Sequence, residues 1–317
     1  MFRNFANAKS DEIMSQEFPY QVVAFYKYVH IEEADVFAIR HLKYCQRLGI
    51  GGRIIIANEG INGQLSGTVE QCKQYMADLT ADERFATTDF KIDPAEKPAF
   101  AKMHVRYKSE IVNSGLADIK EVDPSKETGK HLSAEEFKKL KQRDDVVVID
   151  VRSNYETKIG RFKGAVTLDM ENFREFPEKV AELEQFKDKT VVTYCTGGIK
   201  CEKASALLLK KGFKDVYQLD GGIIKYAKLA GGEDFDGKCY VFDGRVVVDV
   251  NQVNPTLISS CIHCETPSAR MINCVNELCN EQIVMCESCG WEWDGACSES
   301  CKEVAQRAYD GSGYYTK

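Results

Sequence analysis

The chain has no apolar run approaching the ~18 residues that a membrane-spanning helix requires, and residues 1–17 are polar, with no apolar core of the kind that drives secretion. A membrane route is therefore set aside, and the expected compartment is the cytoplasm. An excess of positive charge is also missing. Lys and Arg number 42 against 49 Asp and Glu, a net charge of −7, so the bulk field does not attract nucleic acid and any RNA contact must come from a local basic patch. No flavin or nicotinamide glycine fingerprint is present, and no His-x-Asp pair suggests an iron facial triad. Cysteine, by contrast, is plentiful. Thirteen in a reducing compartment argue for catalysis or metal, not disulfides. Length and a 44% hydrophobic content predict a globular protein of two or three domains.

One cysteine stands in a telling context. The valines and tyrosine before Cys195 read as the end of a buried strand, and apolar spacing from Glu202 to Lys211 predicts a helix. Thr196, Gly197, Gly198, Ile199, Lys200 and Cys201 then form a loop from strand to helix N-terminus. The helix dipole, inward-pointing N–H groups and the Lys200 ammonium all favour a thiolate there. Gly197 and Gly198 let the backbone curl around the sulfur. A phosphatase would need arginine six positions after the cysteine to grip phosphate bidentately, and that position is Cys201. Cys195 is therefore the candidate catalytic residue, as nucleophile or sulfur carrier. A buried structural cysteine would leave the flanking glycines without purpose.

Taken in order, residues 1–19 read as a leader, and residues 20–115 alternate as β-α-β-β-α-β, the ferredoxin-like signature of an α+β domain. Within it, Asn58 to Gly63 is turn chemistry throughout, either a tight connection or a close approach to a ligand by Asn58, Glu59 and Asn62. Lys91, Lys97, Lys102, His104, Arg106 and Lys108, interleaved with Phe100 and Tyr107, suit single-stranded RNA as well as they suit a charged edge strand. Residues 116–130 read as a linker. Residues 131–230 alternate strands and helices, an α/β domain with a parallel sheet whose ligands sit beyond the strand carboxyl ends, where Asp150 and Cys195 fall. Arg152 is expected to pair with Glu156 or a strand-end carbonyl. Residues 231–317 comprise a hairpin around Asp243 and a Cys-rich segment.

The cysteines of that segment pair by spacing: Cys261 with Cys264, Cys274 with Cys279, Cys286 with Cys289, and Cys297 with Cys301. Short-spaced pairs aim two thiolates at one ion, and two pairs complete a tetrahedron, so up to two structural zinc ions are expected. Consecutive pairing would give two ribbons and alternate pairing a cross-brace. Spacing leaves this open, as it leaves open a ligand role for His263.

Asp150-Val-Arg152, Glu156, Gly164-Ala165, the Cys195 loop and Leu219-Asp-Gly-Gly222 resemble a single rhodanese domain, although rhodaneses usually carry arginine where Lys200 stands. Together with Tyr26-Lys-Tyr, Asn58-Glu-Gly-Ile-Asn-Gly63, Met103-His-Val-Arg106 and Tyr240-Val-Phe-Asp243, these motifs resemble the rhodanese-like tRNA uridine hydroxylases over nearly the whole chain. The resemblance implies oxygen-dependent 5-hydroxylation of the wobble uridine, with Cys195 essential, molecular oxygen as co-substrate, and tRNA held partly by the N-terminal domain. A sulfurtransferase passing a Cys195 persulfide to RNA or protein is the alternative. The electron or sulfur donor is not specified by the sequence. A non-catalytic adaptor would be expected to lack the cysteine.

Overall fold

Residues 20–107 alternate stretches of period-two and helical apolar spacing, and each becomes the corresponding element. A computed structural model describes residues 18–117, 119, 122–243 and 245–313. The leader expected over residues 1–19 lies, but for its last two positions, outside them. The chain divides into two units, one ending at Ile111 and the other beginning at Val112.

The first unit contains β1 (Tyr20–Tyr28), α1 (Ala34–Leu48), β2 (Gly51–Ala57), β3 (Gly60–Thr68), α2 (Val69–Thr80), β4 (Asp89–Ala95) and β5 (Met103–Tyr107). α1 stops where Gly49 adopts φ 76°, a left-handed turn that glycine takes at no steric cost. α2 opens on a reciprocal capping box between Thr68 and Gln71. The strand order is β4-β1-β3-β2-β5. The first four are antiparallel neighbours, as the ferredoxin-like reading requires, and β5 adds itself parallel to β2 at the edge. Val23, Phe25, Ile54, Ile56, Ile61 and Leu65 share the core with Cys45, Cys72 and Tyr75, all buried.

The glycine-rich segment behaves differently from its sequence reading. Only Asn58 and Glu59 turn, because Ala57 pairs with Gly60 and β3 begins there. Gly60 lies so close to β1 that a Cβ would approach the Lys27 carbonyl oxygen to 2.0 Å, and one on Gly63 would meet the Phe25 ring at 2.5 Å. These glycines serve close packing inside a strand, not a turn. Asn58 donates to the Ile31 carbonyl and accepts from the Tyr107 hydroxyl. Glu59 accepts from the Ile111 N–H, and Asn62 donates to the Ile111 carbonyl. All three side chains staple neighbouring segments.

The second unit runs β6 (Lys130–Leu132), α3 (Ala134–Leu140), β7 (Val146–Asp150), α4 (Asn154–Ile159), β8 (Gly160–Phe162), β9 (Val166–Thr167), α5 (Phe176–Lys179), β10 (Thr190–Tyr194), α6 (Ile199–Lys210), β11 (Asp215–Leu219) and α7 (Gly222–Ala230). Its main sheet, ordered β6-β11-β10-β7-β9, is parallel throughout. Val191, Val192 and Tyr194 on the central strand are wholly buried, which is why β7 and β10 read as continuous apolar runs. In the segment read as a linker, Leu116 and Val122 join the core, and Thr128 and Gly129 bond to Ser205. The chain then adds β12 (Phe235–Gly237), paired with β8, and β13 (Cys239–Tyr240), paired with β14 (Val247–Val248). It finishes with β15 (Met271–Asn273), β16 (Gln282–Val284), α8 (Glu287–Glu292) and α9 (Glu299–Glu303).

A buried ion pair fixes the carboxyl end of the parallel sheet. Arg152, with no exposed surface, grips both Asp150 oxygens at 2.9 and 2.7 Å and donates to the Gly160 carbonyl at 2.6 Å. Its partner is thus Asp150, two residues away, with the carbonyl as expected and not Glu156. Removing one member of such a pair costs about 3–5 kcal/mol, because the other stays charged and unsolvated. Among the described residues no helix is long and apolar enough to cross a membrane.

Candidate active site and cysteine cross-brace

β10 ends at Tyr194, whose pairing with Asp150 sets it at the carboxyl edge of the sheet, and Cys195 is the next residue. The loop closes on Gly198, which caps α6 with φ 100°, a conformation open to glycine and not to side-chain-bearing residues. The Gly198 N–H points back and donates to Cys195 Sγ at 3.1 Å. α7 grips the loop from the other side: Ile223 N donates to the Cys195 carbonyl at 3.0 Å and Ile224 N to that of Thr196 at 3.2 Å. Gly222 permits this approach, since a Cβ there would sit 2.4 Å from the Cys195 carbonyl oxygen.

Cys195 is 1% exposed. Burial pushes its thiol up, but the Cys201 thiol, the Lys200 ammonium and the N–H groups of Cys201 and Gly198 together outweigh that penalty and bring its pKa down from 9.0 to about 6. Cys201 moves the opposite way, well above the usual thiol range, through burial and the neighbouring Cys195. The two sulfurs therefore divide the roles: their surroundings favour the thiolate at Cys195 and the thiol at Cys201, which donates to it.

Lys200 has a second partner that its sequence position does not reveal. Its ammonium forms an ion pair with Glu156, whose side chain has no exposed surface. Glu156 also accepts from the Ser153 N–H at 3.1 Å and shares the Thr196 hydroxyl, at 3.3 Å, with the Tyr240 carbonyl. The Lys200 ammonium lies 6.0 Å from the Phe173 ring centroid and 5.5 Å from that of Phe242. Glu156, Tyr240 and Phe242 are the site residues whose roles sequence spacing did not show. They approach through tertiary contacts across 40 or more residues, and only their presence in recurring motifs hinted at them.

The eight tail cysteines gather into two sets of four, and the pairing order left open by spacing is alternate. Cys261, Cys264, Cys286 and Cys289 form one set, Cys274, Cys279, Cys297 and Cys301 the other, with the sulfurs of each set within 4.8 Å of one another. This is a cross-brace. Contacts of 3.6 Å between Cys264 and Cys286, 3.7 Å between Cys279 and Cys297, and 3.5 Å between Cys297 and Cys301 match the ~3.8 Å edge of a tetrahedron of thiolates around zinc at ~2.3 Å. His263 is occupied elsewhere, stacked on Trp293 at 3.8 Å and within 3.1 Å of the Ala296 carbonyl.

The six cations of the first unit do not form one cluster. Lys91 lies on β4 at one edge, beside Asp89 at 3.7 Å and over the Tyr26 ring. His104 and Arg106 lie on β5 at the other edge, with Lys108 just beyond it. Lys97 and Lys102 belong to the connection from β4 to β5, where the Ala99 N–H donates to Ser66. Met103 and Val105 pack on the core, so alternation turns His104 and Arg106 to the opposite face. There the register aligns Lys91, Ala24, Gln64, Arg53 and His104 in one row across the sheet, and Asp89, Tyr26, Asn62, Ile55 and Arg106 in the next. Arg53, exposed, is a cation that the register adds to the group.

Comparison with known proteins places these units in order. The family model for the UPF0176 acylphosphatase-like domain matches residues 20–111, that for the rhodanese-like domain residues 133–229, and that for the rhodanese C-terminal region residues 236–302. A protein of Cytophaga hutchinsonii named tRNA uridine(34) hydroxylase is 60% identical over 299 residues, covering 94% of this chain and 95% of that one. Proteins with the same name from Staphylococcus carnosus and Enterococcus faecalis are 48% and 49% identical, each covering 92% of both chains. The motifs read from the sequence and the architecture built on them thus agree with full-length relatives, and the chain belongs to the tRNA uridine(34) hydroxylase family.

Proposed function

We propose that the protein hydroxylates carbon 5 of the wobble uridine of tRNA in the cytoplasm, with Cys195 as the nucleophile and molecular oxygen as co-substrate. The observation that carries the reading is a cysteine sulfur at the carboxyl edge of a parallel sheet that accepts from the Gly198 N–H beside the Lys200 ammonium, in a chain whose relatives bear the name tRNA uridine(34) hydroxylase. Thiolate addition to uracil carbon 6 forms a C–S bond and moves the ring's double-bond pair toward carbon 5 and the carbon-4 carbonyl. Carbon 5 then attacks the distal oxygen of a hydroperoxide formed from dioxygen and a two-electron donor; the C–O bond forms as the O–O bond breaks, and the other oxygen leaves as hydroxide and is protonated to water. Loss of the carbon-5 proton expels the thiolate and restores the ring. The name that the full-span relatives share favours this over sulfur transfer.

Two further parts belong to the same reading. The row containing Arg53 and His104, with Arg106 beside it, is the tRNA-backbone contact of the first unit, where exposed cations neutralise phosphates. Each four-cysteine set holds one zinc ion in a purely structural role, since four thiolates leave no open position. The zinc supplies cross-links to a segment of about sixty residues otherwise poor in large aliphatic side chains.

Nucleoside mass analysis of tRNA from a deletion strain carrying Cys195→Ala is expected to show loss of 5-hydroxyuridine derivatives, and loss of thiolated bases instead would select the sulfurtransferase. Arg53→Gln with Arg106→Gln should weaken binding to all tRNAs alike and flatten the salt dependence by about two log units per decade; an unchanged slope would remove this face from the interface. Metal analysis of the purified protein should give two zinc ions per chain. A strong chelator should then make residues 261–301 protease-sensitive, whereas a metal-free protein with the same protease resistance would exclude the structural role.

A further inference from the structure

Phe242 is a large apolar side chain left 46% exposed beside the reactive loop. The residues on either side of it are anchored. The Val241 N–H donates to the Val246 carbonyl, and Arg245 clamps the buried Asp243 carboxylate at 2.9 and 2.7 Å, so the backbone on both sides is pinned. The ring packs edge-on against Tyr240 at 5.1 Å. Tyr240 is itself tied at both ends, its carbonyl to the Thr196 hydroxyl at 3.3 Å and its hydroxyl to the Gln282 side-chain amide at 2.7 Å. Lys200, the cation that helps ionise Cys195, lies 5.5 Å from the Phe242 ring centroid. An aromatic surface is thus presented to solvent against Tyr240, which bonds the residue that follows the catalytic sulfur, and near the cation that tunes that sulfur.

From this geometry we propose that Phe242 is the stacking platform for the nucleobase that enters the Cys195 site. A base can reach a buried sulfur only after leaving its own stack, and the lost stacking must be replaced by a protein surface. Aromatic side chains supply this at about 1–3 kcal/mol per base. A phenylalanine has few rotatable bonds and the residues flanking Phe242 are hydrogen-bonded, which limits the conformational entropy lost when the base arrives. The inference rests on the tRNA reading above and names the residue that holds the target base.

Equilibrium binding of the full-length protein to anticodon stem-loop RNA, with either uridine or an abasic residue at the wobble position, tests it without requiring any chemistry. The wild type is expected to prefer the uridine RNA by on the order of tenfold. Phe242→Leu should lose that preference while keeping its affinity for the abasic RNA, which also shows that it is folded, and Phe242→Trp should retain the preference. The pH dependence of Cys195 alkylation should be the same in all three. A uridine preference that survives in Phe242→Leu would overturn the proposal. So would a preference lost together with a raised Cys195 pKa, because the ring would then serve Lys200. Continued hydroxylation by Cys195→Ala would refute the covalent step alone and leave this binding result standing.

Discussion

An anion buried in protein survives only where fixed dipoles and charges replace the water it has lost. The whole second unit is arranged around that constraint at Cys195. A strand buried on both sides carries the sulfur to the sheet edge, the Gly198 N–H and the Cys201 thiol point at it, and Lys200 supplies the countercharge. Lys200 must in turn be held, and Glu156 holds it. Glu156 sits at the start of α4, where the Ser153 N–H and the Thr196 hydroxyl satisfy its oxygens. Beneath lies the Asp150–Arg152 pair, which fixes the neighbouring strand end and, through the Gly160 carbonyl, the strand that follows α4. Charge balance is handed from group to group until it reaches rigid backbone.

The tail contributes to this arrangement. Val284 on β16 and Met271 on β15 pack with Tyr240 and Ile159, and Gln282 bonds the Tyr240 hydroxyl. The cysteine cross-brace therefore supports the segment whose carbonyl receives the Thr196 hydroxyl. A small module with few large aliphatic side chains could not hold that position by packing alone. Zinc in each four-cysteine set, as proposed above, would hold it instead, which would give the cysteine spacing a purpose beyond local folding.

Much of this was legible in the sequence because the signals are local. Strand and helix periodicities located the ferredoxin-like and parallel-sheet layers, and the Cys195 loop announced itself through two glycines and a nearby lysine. The eight tail cysteines showed a metal-type pattern from their spacing. What escaped were relations set by tertiary contact. Sequence proximity offers Arg152 either Glu156 or a strand-end carbonyl, and the fold gives Arg152 to Asp150 and the Gly160 carbonyl and gives Glu156 to Lys200. Glycine marks both turns and close strand packing, so Gly60 and Gly63 look like turn residues in sequence, and only the register distinguishes the two. The order of cysteine pairing, the alignment of Arg53 with His104 across two strands, and the approach of Phe242 to Lys200 likewise depend on how distant segments meet.

The central claim is that Cys195 is an anion at physiological pH, and a pH titration of its alkylation rate tests that most directly. The other cysteines are monitored separately by peptide mass analysis. A midpoint of about 6, with the rate at plateau by pH 8, is the predicted result. A midpoint near the ordinary thiol value of 9.0 would mean that the loop dipoles and Lys200 do not overcome the cost of burial, and would contradict the account.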